Sequence, residues 1–184
     1  MDFFTRRSLS ALALIVLIST AGIYALQYRR YGYATAWHCR HGASIRFGGH
    51  EIQIPWLWWA AKTDNAGRIS ILRASKSSVF YEPRIVVSSA SPGQVAENDD
   101  EQLRLASRVV AIKSRDPQSG WSHSVASIRA TSSTWSCIRD DEAVLGSHVL
   151  TILTCNTPRV RCTLHYHGPP EQEQEAEGIF ATFQ

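Results

Sequence analysis

The sequence predicts an α+β domain, an antiparallel sheet with two packing helices, preceded by one transmembrane helix. Three observations predict it: an uncharged apolar stretch at 8–28, two runs of short strand patterns, and a helical pattern closing each run. Strands grouped in runs, rather than alternating strictly with helices, favour an antiparallel sheet. A chain of 184 residues leaves room for one ordinary domain after the apolar stretch.

The apolar stretch 8–28 contains no charged residue. At about 1.5 Å per residue it covers the roughly 30 Å of a bilayer's hydrocarbon core. Aromatic rings favour membrane interfaces, and tyrosines gather at its far end: Tyr24, Tyr28, Tyr31 and Tyr33. We therefore predict that the chain contacts the lipid bilayer through 8–28. A cleaved signal peptide is the alternative, because Arg6 and Arg7 precede the stretch and a small-residue cleavage site lies at 19–21.

We divide the chain into a cytoplasmic tail at 1–7, a signal anchor at 8–28, a juxtamembrane linker at 29–42 and an extracytoplasmic domain at 43–184. Arginines flank the apolar stretch on both sides, so the positive-inside count does not decide the orientation. We predict that the amino terminus lies inside, because the tail is short and long domains are translocated despite their charges. The predicted location is the cytoplasmic (inner) membrane, single-pass, with the C-terminal domain outside the cytoplasm.

The first elements of the domain are predicted strands. The alternating arms 43–47 and 50–54 flank Gly48-Gly49, which supplies the positive φ angles of a tight hairpin turn. Two further strands are expected at 68–73 and 84–89.

A capped helix follows these strands. Asn98 is expected to cap it, with Glu101 as the reciprocal partner, and the helix continues to about Lys113. Four more strands are predicted at about 123–129, 133–139, 147–155 and 159–166. The last helix carries an apolar stripe with glutamates on its other face, and the stripe is Ala176, Ile179, Phe180 and Phe183.

This layout resembles the Mog1/PsbP-like family over about residues 43–184. The resemblance rests on Ile52-Gln-Ile-Pro55 followed by Trp56, on Arg84-Ile-Val-Val-Ser88 before a capped helix, and on the closing 178–183. The family pattern usually has a single tryptophan where this chain has three. The resemblance implies a non-enzymatic binding or assembly module, and it carries no catalytic residue to transfer.

The run Pro55-Trp-Leu-Trp-Trp59 is the candidate partner-binding feature. On an extended chain, Trp56 and Trp58 face one way and Trp59 the other, so one face would expose indole. Exposed tryptophan is enriched at binding hot spots and membrane interfaces. Coverage by a neighbouring segment is the alternative.

The chain contains four cysteines, an even number that is compatible with two disulfides in an oxidising compartment. Cys155 and Cys162 flank the 156–161 loop symmetrically and would lie opposite each other in an in-register hairpin. Cys39 and Cys137 would then form the second candidate pair. Reduced, buried thiols are the alternative.

Metal or thiol-redox chemistry is the second functional hypothesis. His38, Cys39 and His41 form the densest ligand cluster, and His165 and His167 alternate along a predicted strand. No spaced pair of cysteines accompanies them, so we predict no metal site and no cofactor. The acidic run 140–142 is interpreted as a solvated turn.

The composition excludes other classes. The net charge of +3 and the scattered arginines do not favour nucleic acid as a partner. No nucleophile elbow and no phosphate-binding glycine loop occurs in the sequence. The sequence therefore predicts a membrane-tethered, non-enzymatic binding or assembly module with a possible membrane-protein partner.

Overall fold

A computed structural model describes residues 2–62, 67–75, 83–116, 120–131, 133–144 and 148–183. It contains three α-helices and nine strands among these residues. The helices are α1 (Asp2–His41), α2 (Asp99–Lys113) and α3 (Glu173–Ala181). The strands are β1 (Ser44–Phe47), β2 (His50–Gln53), β3 (Trp58–Lys62), β4 (Ile69–Arg73), β5 (Arg84–Ser89), β6 (Trp121–Arg129), β7 (Thr134–Val144), β8 (His148–Asn156) and β9 (Cys162–Gly168).

Seven strands form one antiparallel sheet in the order β3-β4-β5-β9-β8-β7-β6. Strands β1 and β2 form a separate hairpin in which Ile45 lies opposite Ile52. Its turn residues Gly48 and Gly49 have φ angles of +57° and +88°, which residues with a side chain rarely adopt. The predicted α+β class, the antiparallel sheet and this hairpin are confirmed.

The sheet has two faces, which we name after the helices that lie on them. The α3 face carries the core, where Trp58, Ile85 and Leu164 have no solvent exposure. The predicted stripe of α3 is fully buried against this face, and the indole of Trp135 donates a hydrogen bond to the carbonyl oxygen of Phe180 at 3.0 Å. The hairpin contributes Ile52 to the same core.

The α2 face is covered by α2 over β6 and β7. The helix begins as predicted, because the Asn98 side chain accepts a hydrogen bond from the backbone N–H of Glu101 at 2.9 Å. The Glu101 carboxylate accepts from Glu97 instead of Asn98. Ala106 and Gln102 of this helix are buried, whereas Leu103 and Val109 are exposed.

Helix α1 extends through the segment that the sequence analysis assigned to a linker. It bends by 51° between Ala11–Ala25 and Tyr28–His41. Ala34, Trp37 and His38 are buried because the end of the helix packs against β3. The folded body therefore begins before residue 43.

Within the described residues, no single helix is both long and apolar enough to cross a bilayer, and the two segments of α1 meet that requirement only when they are taken together.

Strand β7 is longer than predicted, because it continues through the acidic run 140–142 to Val144. Asp140 accepts hydrogen bonds from Lys113 and His123, and Asp141 accepts from Arg139 and Thr151. These partners allow the carboxylates to lie within a sheet, so the interpretation of this run as a solvated turn was wrong.

The disulfide joins Cys137 and Cys155, not Cys155 and Cys162. The hairpin of β8 and β9 has the register Asn156↔Thr163, which places Cys155 opposite Leu164. Cys137 lies directly opposite Cys155 on β7, so these two sulfur atoms meet. The other predicted pair does not form either, because Cys39 and Cys162 are free.

Candidate functional site

Four aromatic rings meet where α1 joins the domain, and we call them the junction cluster: Trp37, His38, His41 and Trp56. The rings of His38 and Trp56 are stacked with centroids 5.0 Å apart, and Trp37 stacks on His41 at 5.1 Å. Trp37 meets His38 edge-on at 4.9 Å. The cluster therefore forms a continuous row of rings from the helix to the turn before β3.

His38 is the hydrogen-bonding centre of the junction cluster. Its Nδ1 lies 2.9 Å from the carbonyl oxygen of Gly42, and its Nε2 lies 3.1 Å and 3.0 Å from the carbonyl oxygens of Pro55 and Trp58. Carbonyl oxygens only accept, so a ring nitrogen of His38 that carries a hydrogen donates to one of these carbonyls. These contacts fix the end of α1 to the sheet edge.

The three predicted binding tryptophans have different surroundings. Trp58 has no exposed surface, and its indole N–H donates to Glu175 at 3.0 Å. Trp59 is half-buried against the core, whereas Trp56 is 59% exposed. The backbone N–H of Trp58 bonds to the carbonyl of Pro55, so a turn precedes β3 and the predicted alternation of faces does not include Trp56.

The histidines and cysteines of the metal hypothesis are separated in the fold. His165 and His167 share the α2 face of β9, as their spacing predicts, but Cys155 and Cys162 belong to the α3 face. His38 is engaged in the junction cluster. The described residues contain no group of three or more His, Cys, Asp or Glu side chains that could hold a metal ion.

The four cysteines differ in their access to solvent. The disulfide-bonded Cys137 and Cys155 are fully buried. Burial raises the pKa of the Cys162 thiol to about 12, so this group stays protonated and is a poor nucleophile at neutral pH. Cys39 is exposed near the end of α1.

Two ion pairs attach α3 to the sheet. Arg73 donates to both carboxylate oxygens of Glu175, at 2.8 and 2.7 Å, and this hydrogen bonding is the main reason that the pKa of Glu175 is lowered. Arg139 donates to Glu173 at 2.6 Å, while burial raises the pKa of Glu173. These ion pairs therefore hold the helix on the sheet: Glu173 is buried, whereas Glu175 keeps an exposed carboxylate, as the sequence predicts for the polar face of α3.

The α2 face also carries polar groups that tie elements together. Asp140 lies 2.8 Å from Nδ1 of His123 and also contacts Lys113 of α2. His165 lies next to this group, and its Nδ1 is 3.0 Å from the hydroxyl of Thr154. The centre of this face, on β5 and β9, carries Arg84 and His167 opposite each other.

The sequence analysis missed the anchoring role of Trp37 and His38. A signal was present, because Ala34, Trp37, His38 and His41 recur at i, i+3, i+4 and i+7, the spacing of one helix face. Ala34, Trp37 and His38 are buried at this junction.

A comparison with protein-family models finds no match to this chain, and a comparison with curated proteins finds none either.

Proposed function

We propose that this chain is a membrane-tethered, non-enzymatic binding or assembly module, anchored by the first part of α1. One observation carries the proposal. The apolar side chains of this segment are each more than half exposed: Leu12, Leu14, Ile15, Val16, Leu17, Ile18 and Ile23. A continuous exposed apolar surface of this kind marks a membrane or protein interface. The opposite end of the same helix is buried on the domain, so anchor and domain are joined by a continuous helix.

Arginine substitutions in the apolar part of α1, which we call the tether, test whether it lies in the membrane. Leu14→Arg combined with Ile18→Arg places two guanidinium groups on one helix face, each costing about 3 kcal/mol near the bilayer centre. We expect the variant to be lost from carbonate-washed membranes. The control is Ile112→Arg in α2, because Ile112 is exposed to a similar extent, 66%. Recovery of the wild-type chain in the soluble fraction without detergent, or a mature chain beginning at Gly22, contradicts the proposal.

We propose that the domain lies outside the cytoplasm at the inner membrane. The disulfide between Cys137 and Cys155 supports this side, since disulfides persist mainly in oxidising compartments. Cys39 provides the test, because it is the exposed free thiol of the described chain. A membrane-impermeant maleimide added to intact spheroplasts should label the wild type and not Cys39→Ser. Labelling only after the cells are lysed contradicts this orientation.

Trp56 is the contact that we propose for a membrane-protein partner. One face of its ring stacks on His38, and the side chain remains 59% exposed at the domain end of the tether. A large, rigid aromatic side chain that is held in place but exposed is typical of an interface anchor. The tether keeps this ring near the bilayer, so even weak docking becomes effective through local concentration.

A photo-crosslinking residue at position 56 tests this contact in native membranes. We expect a defined adduct from position 56 and none from position 112, which serves as the exposed control. The adduct should disappear when the junction is loosened by His38→Ala. Equal adducts from both positions would contradict a contact specific to Trp56.

The polar side chains that could act in catalysis form hydrogen bonds between elements of the fold, which supports the non-enzymatic part of the proposal. His38, Asp140 and Glu175 each connect two elements of the fold. The alternative of a metal-binding or thiol-redox protein lacks such support, because the thiol of Cys162 is buried with a raised pKa. Elemental analysis of the purified full chain tests that alternative, and stoichiometric bound metal would favour it.

The Mog1/PsbP-like resemblance also remains a proposal. It is supported by a single antiparallel sheet whose α3 face is covered by the closing helix, and by the capped α2 after β5. A crystal structure compared strand by strand with members of that family tests it. A different strand order in those members would contradict it.

A further inference from the structure

The seven-stranded sheet has two edge strands, and they differ in what covers them. The edge of β3 is covered, because the end of α1 packs against it and His38 contacts the carbonyl oxygen of Trp58. The edge of β6 has no strand beside it among the described residues. An uncovered edge is a template for pairing with another chain, and proteins usually protect it with proline, lysine, a bulge or a short strand. Strand β6, Trp121–Arg129, has none of these and pairs with β7 without interruption.

The backbone of β6 presents a row of hydrogen-bonding groups at this edge. The backbone N–H of Ala130 donates to the carbonyl oxygen of Ser133 at 2.9 Å, and hydrogen-bonded pairs alternate with non-hydrogen-bonded pairs along antiparallel strands. The register that follows therefore makes the odd-numbered residues of β6 the non-hydrogen-bonded ones. Their N–H and C=O groups point away from β7, and those of His123, Val125 and Ser127 form the middle of the row.

Helix α2 turns an uncharged flank towards the same edge. Four antiparallel pairings lead from β5 to β6, so these two strands run in parallel and α2 connects them. Such connections are right-handed, which turns the flank of Leu103, Ser107 and Val110 towards the free edge and Ile112 towards the centre of the sheet. Leu103 is 39% exposed. The hydroxyl of Ser107 donates to the carbonyl oxygen of Leu103, so this flank can pack against another helix without leaving that hydroxyl unpaired.

We propose that the free edge of β6 pairs with β6 of a second copy of this chain, antiparallel and around a two-fold axis at Val125. This register pairs the whole strand, with Val125 opposite its own counterpart and His123 opposite Ser127 of the second copy. The middle residues alone then form about six backbone hydrogen bonds. Because α1 covers the other edge of the sheet in each copy, the pairing stops at a dimer. This surface lies at the opposite edge of the sheet from the contact proposed at Trp56.

The position of α2 favours a second copy over an unrelated strand. The helix runs along β7, because Asp99 near its start accepts from the backbone N–H of Thr134 and Lys113 at its end contacts Asp140. The middle of α2 therefore lies close to the level of Val125. With strands about 4.8 Å apart, the two α2 helices over β6 and β7 come about 10 Å apart, the distance of packed helices. Their uncharged flanks then face each other across the axis, which an unrelated strand could not provide.

The charges at this edge also match those of a second copy. Arg129 and Glu142 lie at opposite ends of the β6–β7 pair, and neither forms an ion pair within the described part of the chain. In the proposed register, Arg129 of the second copy lies opposite Trp121, which is the cross-strand neighbour of Glu142. Each arginine therefore approaches the acidic end of the other copy, and the two arginines stay far apart.

The first test measures the mass of the full chain in a non-ionic detergent by equilibrium sedimentation, and we expect two chains per particle. Ser127→Pro should weaken the dimer at least tenfold, because it removes an outward N–H that β7 does not use, and an edge strand tolerates proline at such a position. Leu103→Arg should also weaken the dimer. Ile112→Arg is its matched control, because Ile112 is 66% exposed but lies on the other flank of α2. An unchanged near-UV circular dichroism spectrum of each variant shows that the fold is retained.

A cysteine at the proposed axis tests the register. The background is Cys39→Ser, which removes the exposed native thiol. Val125→Cys then places two thiols opposite each other with Cα atoms about 5.5 Å apart, a separation that suits a disulfide. Ser127→Cys is the matched control, because its position faces His123 of the second copy and its own counterpart is distant. After mild oxidation, we expect a covalent dimer of Val125→Cys and none of Ser127→Cys.

Three results overturn the proposal: a monomeric wild type, equal crosslinking by the two cysteines, or a folded Ser127→Pro chain that remains dimeric. A monomeric chain whose position 125 crosslinks to a different protein in native membranes also overturns it and assigns the edge to another partner. The sedimentation and disulfide measurements are made in detergent and do not involve Trp56. Failure of the tether and failure of this dimer therefore give different results.

Discussion

The structure allows a direct estimate of how much the free energy of unfolding falls when the buried disulfide is removed. Cys137→Ala with Cys155→Ala opens a loop whose ends are 18 residues apart. The chain-entropy relation gives about 3 kcal/mol for a loop of that length, because the unfolded chain regains the freedom that the bond removed. For a domain of this size that corresponds to a lower unfolding midpoint by roughly 10 °C.

The assay is urea unfolding of the full chain in a non-ionic detergent, followed by near-UV circular dichroism. Cys162→Ala is the matched control, because it removes a buried sulfur atom from the same face without opening a bond. Twice the loss of stability in this control accounts for the two sulfur atoms that the double variant lacks, so the difference between the double variant and that value is the contribution of the disulfide. A difference below about 1 kcal/mol would refute the loop-entropy argument for this bond.

Thiol titration of the denatured, unreduced chain tests the pairing itself. With Cys137 bonded to Cys155, Cys162→Ala should leave only Cys39 to react. A bond between Cys155 and Cys162 would instead release Cys155 in that variant and increase the number of reactive thiols. An increase would therefore show that the hairpin register differs from Asn156↔Thr163.

Three further predictions concern the packing of the domain. Gly168→Ala should destabilise the domain by about 1–3 kcal/mol in urea unfolding, because the new Cβ would lie 2.8 Å from Cζ of the buried Tyr166 ring. Gly178→Ala is the matched control in α3. Because open space surrounds Gly178, this variant should stabilise the domain by about 0.5–1 kcal/mol. Arg73 lowers the pKa of Glu175, so this carboxylate stabilises the domain at pH values above its ordinary pKa of 4.5, and that contribution is lost as the pH falls through the lower folded-state pKa. Glu175→Gln should therefore make the free energy of unfolding depend less on pH in the acid range. An unchanged pH dependence would contradict this reasoning. His38→Phe keeps a ring against Trp56 but leaves carbonyl oxygens without donors, so urea unfolding should show a loss of about 1–3 kcal/mol, with His41→Phe as the milder control.

Local signals predicted the elements whose formation depends on a few adjacent residues. The Gly48-Gly49 turn, the Asn98 cap and the apolar stripe of α3 each act within one turn or one helix, and all three are present. Strand β3 was not predicted, because 58–62 has no clear alternation of apolar and polar residues. It becomes a strand by pairing with β4, where Trp58 lies opposite Arg73.

Pairings between distant residues could not be predicted from spacing. The symmetric placement of Cys155 and Cys162 suggested a bond, but Arg161 adopts a φ of +51° and the loop is asymmetric. That asymmetry shifts the register, so Cys155 lies opposite Leu164. The same holds for Arg84 and His167, which are far apart in the chain and lie opposite each other only because β5 pairs with β9.

The docked end of α1 changes what a tether does. A flexible linker would let the domain sample many orientations, and its local concentration at any one partner would fall with linker length. Here Trp37 and His38 bury the end of the helix against β3, and the helix continues without a coil segment into its apolar part. Under the proposed anchoring, the orientation of the domain is therefore set by the bend of α1 and by the junction cluster. In the chain that carries the photo-crosslinking residue at position 56, His38→Ala should abolish the adduct although residue 56 is the same in both chains.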